Sequence, residues 1–79
     1  MDVKVLGSGC AKCQRTVALI EEVAQARAMP LQVDKVQDMR AIASYGVMST
    51  PAVVVDGKVV HAGSVPGRDK IESWFAPRP

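Results

Sequence analysis

Long apolar runs, cysteine-rich stapling and a dominant charge sign are all missing from this 79-residue chain. Its apolar stretches, such as Ala52 to Val55, fall far short of the roughly 20 residues needed to span a bilayer, so a membrane-spanning helix is not expected. Ten Lys and Arg stand against eight Asp and Glu, spread from Lys4 to Arg78 without a basic run, so nothing points to nucleic acid. The start, Met1-Asp2-Val3-Lys4-Val5-Leu6, lacks the basic opening and apolar core of a secretory leader, and the expected location is the cytoplasm. Aromatics are scarce, and Tyr45, Trp74 and Phe75, with Met39 and Met48, read as core or rim packing rather than a cofactor box.

Cysteine is limited to Cys10 and Cys13, which excludes the multiply bridged scaffold of a small secreted domain. A bridge between two residues so close in sequence closes a very short loop and removes little entropy from the unfolded chain, so its purpose is chemical. What is present is a globular balance of 48% hydrophobic and 23% charged residues, expected to fold as one domain over residues 1–79.

The pattern along the chain is legible. Val3 to Leu6 reads as a buried strand broken by Gly7-Ser8-Gly9. From Cys13 the apolar residues Val17, Ile20 and Ala24 recur at helical spacing, predicting an amphipathic helix over roughly Ala11 to Arg27. Pro30 precedes Leu31-Gln32-Val33-Asp34-Lys35-Val36, whose alternation predicts a strand. Asp38 can cap a short helix carrying Met39, Ile42 and Ala43, with Gly46 ending it. Thr50 to Val55 and Lys58 to His61 flank Asp56-Gly57, the signature of a two-residue hairpin. Pro66 can start a last helix with Ile71, Trp74 and Phe75 on one face, and Pro77 ends it. A right-handed crossover makes the first two strands parallel neighbours, and the hairpin completes a four-stranded mixed sheet.

Cys10-Ala11-Lys12-Cys13 falls where strand gives way to helix, which puts Cys10 beside unpaired N–H groups at a helix N-terminus, where a thiolate is favoured. Lys12 and Arg15 add positive charge. Cys13 leads the buried stripe and so faces the sheet. Cys10 is therefore the expected nucleophile and Cys13 the resolving thiol of disulfide exchange.

The segments Gly7-Ser8-Gly9-Cys10-Ala11-Lys12-Cys13, Val47-Met48-Ser49-Thr50-Pro51-Ala52-Val53, Asp56-Gly57-Lys58 and Gly63 together resemble small redox-active disulfide proteins. These form a compact branch of the thioredoxin and glutaredoxin superfamily, and the resemblance covers nearly the whole chain. It implies a thioredoxin-like α/β fold of order β-α-β-α-β-β-α, with the second strand beside the first and then the third and fourth. It implies a thiol–disulfide oxidoreductase and electron carrier, with Pro51 in cis against the cysteine pair and the Thr50 backbone pairing with substrate. The redox centre is the Cys10–Cys13 disulfide, with no other cofactor or metal. The implied partners are protein disulfides and a disulfide reductase, and a monomer is expected. The chain departs from ordinary thioredoxins in having Gly9 where a tryptophan precedes the first cysteine, and Lys4 where an ungapped count meets a buried carboxylate.

Two other readings compete. A copper(I) carrier needs only two thiolates, but Ser8 stands where ferredoxin-like metallochaperones usually have methionine, and a helix rather than a hairpin follows the second strand. A structural zinc site would have Cys10, Cys13 and His61 but lacks a fourth ligand, and His61 reads as an ordinary strand residue. Within the redox reading, a glutathione-dependent variant is suggested by Val47 to Pro51 and by Gly63-Ser64, which resemble a glutaredoxin's tripeptide site.

Overall fold

In the computed structural model, which describes residues 2–7, 9, 11–29 and 31–75, seven elements follow one another. They are β1 (Val3–Leu6), α1 (Ala11–Ala26), β2 (Asp34–Val36), α2 (Met39–Ser44), β3 (Ala52–Val55), β4 (Lys58–Ala62) and α3 (Arg68–Phe75). The sheet order is β2-β1-β3-β4, with β1 parallel to β2 and the other pairings antiparallel. This is the mixed α/β sheet flanked by helices that the sequence predicts.

Helices cover both faces of the sheet, so β3 is apolar on both sides, and β1 is too except at Lys4. On one face Val3, Val5 and Val53 pack with Val17, Ile20, Val23 and Ala24 of α1 and with Ile71 and Phe75 of α3. On the other, Leu6, Ala52 and Val54 pack against Ile42 of α2, with Tyr45 and Val47 at the margin. The period-two alternation of β1 thus assigns Val5 to the α1 side and Leu6 to the α2 side. Trp74 is half-buried beside the first cluster.

Local chemistry sets the element ends. Asp38 caps α2, its carboxylate accepting from the Arg40 N–H at 3.2 Å. Gly46 follows with φ +76°, its N–H bonded to the Ala43 carbonyl at 2.9 Å. Asp56 and Gly57 both have positive φ, 51° and 82°, as the type I′ turn of a two-residue hairpin demands. An irregularity at Val53/Val54 shifts the β3–β4 register.

Three expectations are corrected. The second strand was expected from Leu31, but β2 holds only Asp34–Val36. Lys4 stands opposite Asp34, and extending that register backward puts Gln32 opposite Asp2, before β1 begins. Val33 is buried in the core just ahead of β2. Pro66 is buried but lies ahead of α3, whose first bond runs from the Ile71 N–H to the Gly67 carbonyl. Met39 and Met48 are not packing residues, being 70% and 98% exposed. Pro30 and Pro77 lie outside the described residues.

The contact of α3 with α1 rests on Ile71, which is fully buried. Ile71→Ala removes three carbons from a packed interior, and urea unfolding should show a loss of about 2–5 kcal/mol.

Candidate functional site

The site is built where β1 runs out. Gly7 continues β1 and donates its N–H to the Val36 carbonyl at 2.9 Å, holding the chain to the end of β2. Gly9 follows with φ +86°, and the Gln14 side-chain amide donates to its carbonyl at 3.1 Å. This bond ties the turn to the first turns of α1. Cys13 and Thr16 occupy the buried face of those turns, Cys13 at 5% exposure and Thr16 at 0%. The Thr16 hydroxyl is satisfied within the helix, donating to the Lys12 carbonyl at 2.8 Å.

Cys13 meets the backbone of Gly7 with no space between. A Cβ at position 7 would fall on the Cys13 sulfur and stand 3.8 Å from Cβ of Thr50. Cys13, Gly7 and Thr50 therefore meet at one point, which brings the segment around position 50 to the β1–α1 junction. The Thr50–Pro51 peptide is cis, Pro51 is buried and Thr50 is exposed. The Pro51 carbonyl accepts from the Gly63 N–H at 2.9 Å, so the loop after β4 braces the segment before β3. Lys12 and Arg15 are exposed on α1, whose first turn contains no acidic residue. Cys10 lies outside the described residues, as does Ser8.

Lys4 does not face Cys13. It lies on the α2 side of β1, where its ammonium pairs with the Asp2 carboxylate at 2.6 Å. That hydrogen bond raises its pKa above the usual lysine value. This position therefore offers Cys13 no carboxylate. His61 stands on β4, its Nε2 donating to the Ser64 carbonyl at 3.0 Å, a local strand-end contact.

Other features of the site were not anticipated from the sequence. In sequence Gly7 reads as a strand breaker and as part of the resemblance, whereas in the structure its hydrogen atom makes room for a sulfur. A groove of about 430 Å³ also opens between α1 and β2, with Val5, Gly7 and Cys13 in its lining and Gln14, Lys35 and Gln37 among its polar members. Gln14 could have been noticed as a polar residue on the first turn of α1. Lys35 and Gln37 could not, because only the β1–β2 register brings them there.

Comparison with known proteins gives a family for the whole fold. The family model described as "Thioredoxin domain" matches residues 1–76. A protein from Methanothermobacter thermautotrophicus (strain Delta H) named "Thioredoxin" is 26% identical over 72 residues, covering 91% of this chain and 94% of its own length.

Gly7 and Gly67 give a direct test of the close approach, since a Cβ at Gly67 meets nothing within 4 Å. Gly7→Ala should lose about 1–3 kcal/mol in urea unfolding through overpacking against Cys13. Gly67→Ala, at the N-cap of α3, should lose less, about 0.5 kcal/mol.

Proposed function

The chain belongs to the thioredoxin-domain family, and from that premise we propose that it is a thiol–disulfide oxidoreductase reducing protein disulfides through Cys10 and Cys13. The observation that carries this reading is the place of Cys13: buried on the first turn of α1, its sulfur against Gly7 and close to Thr50. A thiol held there is shielded from outside reagents yet adjoins a segment that a partner can reach.

Cys10 immediately precedes the first residue of α1 in the sequence. Unpaired N–H groups and the helix dipole favour a thiolate at such a position. No carboxylate in the first turn opposes it, and Lys12 contributes exposed positive charge. The Cys10 thiolate attacks a partner's disulfide, forming a mixed disulfide and expelling one partner sulfur as a thiolate that takes up a proton. Cys13, once deprotonated, attacks the Cys10 sulfur, and the second partner thiolate leaves. Two electrons have then passed to the partner, and the protein holds a Cys10–Cys13 disulfide.

Thr50 offers its main chain to an extended partner segment, and Pro51 has no N–H to compete for it. The redox centre is the cysteine pair itself, needing no other cofactor. A disulfide reductase restores the thiols, with glutathione as the alternative donor. A reducing compartment such as the cytoplasm suits a reductase, and no described helix is long and apolar enough to cross a membrane.

The roles are separable by substitution. With insulin as the disulfide substrate, Cys10→Ser should abolish reduction. Cys13→Ser should instead accumulate a covalent adduct, visible by mass spectrometry and released by dithiothreitol. Persistent activity in Cys10→Ser overturns the assignment.

A further inference from the structure

The groove between α1 and β2 carries charges that the exchange cycle does not use. Glu21 lines it from α1 and Lys35 from β2, both exposed. Neither forms an ion pair with another described residue. Val5 and Val17 give it an apolar lining, and Cys13 stands in it toward the N-terminal end of α1. β2 and β3 flank β1 on opposite sides, so this groove and the Thr50–Pro51 segment approach the end of β1 from opposite directions.

A carboxylate and an ammonium in one groove with an apolar lining, neither ion-paired with another described residue, fit a ligand that carries both charges. Glu21 lies roughly 12 Å beyond Cys13 along the helix axis, and its side chain leans back toward the N-terminus. The volume of about 430 Å³ is at the small end for ligand sites, which suits a small molecule. The Gln14 amide nitrogen is engaged by Gly9, leaving its oxygen as an acceptor, and Gln37 adds a second amide.

We propose that this groove binds low-molecular-weight disulfides of amino-acid type, and that the protein reduces them. Lys35 receives the α-carboxylate and Glu21 the α-ammonium. The inference rests on the exchange reading above and names a second substrate class for the same cysteine pair. One molecule of the disulfide accepts two electrons. Cys10 displaces one half as a thiolate, Cys13 displaces the other, each takes up a proton, and the protein is left with its internal disulfide.

The test uses full-length, prereduced protein in single turnovers, quenched with acid, with the released small thiol quantified. The probes are L-cystine, cystamine, which lacks the carboxylate, and 3,3′-dithiodipropionate, which lacks the ammonium. Rates are normalised to the reaction of dithiothreitol with each probe. Cystine should be preferred about fivefold over either analogue, the range available to a partly solvated charge contact. Lys35→Glu should erase the preference over cystamine, and Glu21→Lys the preference over dithiodipropionate. Equal normalised rates for the wild-type protein, or preferences untouched by both substitutions, overturn the proposal. Wild-type insulin reduction in parallel separates the two readings. Insulin reduced without cystine preference overturns the groove alone, whereas failure with both substrates overturns the exchange function.

Discussion

The contact between the Cys13 side chain and the Gly7 backbone is the constraint on which this end of the molecule depends. A strand can lie this close to a helix only where it presents no side chain, and Gly7 supplies that gap one residue after β1. Ile20, Val23 and Ala24, all fully buried, draw α1 onto the sheet. The Val36 carbonyl holds Gly7 from the other side. Hydrophobic burial presses the helix down, and the glycine decides how near the sulfur comes. In the proposed exchange cycle a core side chain on α1 thereby also takes part in the chemistry.

The position of Thr50 follows from the same arrangement. β3 pairs with β1 so that Leu6 faces Ala52, and the residues just before β3 arrive beside those just after β1. The Gly63 N–H then holds the Pro51 carbonyl from the end of β4. Sheet register brings residues around positions 7 and 50 together, and the packing of α1 on the sheet adds position 13. The groove on the β2 side is the counterpart of this packing. There the edge strand is short and polar, so α1 faces Lys35 and Gln37 instead of another apolar strand.

Much of this was legible because its signals are local. Asp56-Gly57 dictates a turn by backbone conformation alone, and both residues adopt the left-handed φ that the pairing implies. The spacing of Cys13, Val17, Ile20 and Ala24 marks a helical face, and all four are buried. Asp38 caps α2 through its own side chain. The expectations that failed depended on partners distant in sequence. The alternation through Leu31 to Val33 resembles a strand, but the register leaves Gln32 opposite a residue that precedes β1. Met48 has an apolar side chain, yet its loop gives it nothing to cover. The groove was invisible for the same reason, since only tertiary packing brings Glu21 and Lys35 into the lining of one groove.

In the proposed function two cysteines act as one redox centre. It is tested most directly by equilibrating the protein in dithiothreitol buffers over a range of potentials, trapping thiols with an alkylating agent and weighing the products. The expected result is a single two-electron transition between two species, one alkylated at both Cys10 and Cys13 and one at neither. A singly alkylated form dominating at intermediate potentials, or two free thiols throughout the range, would contradict it.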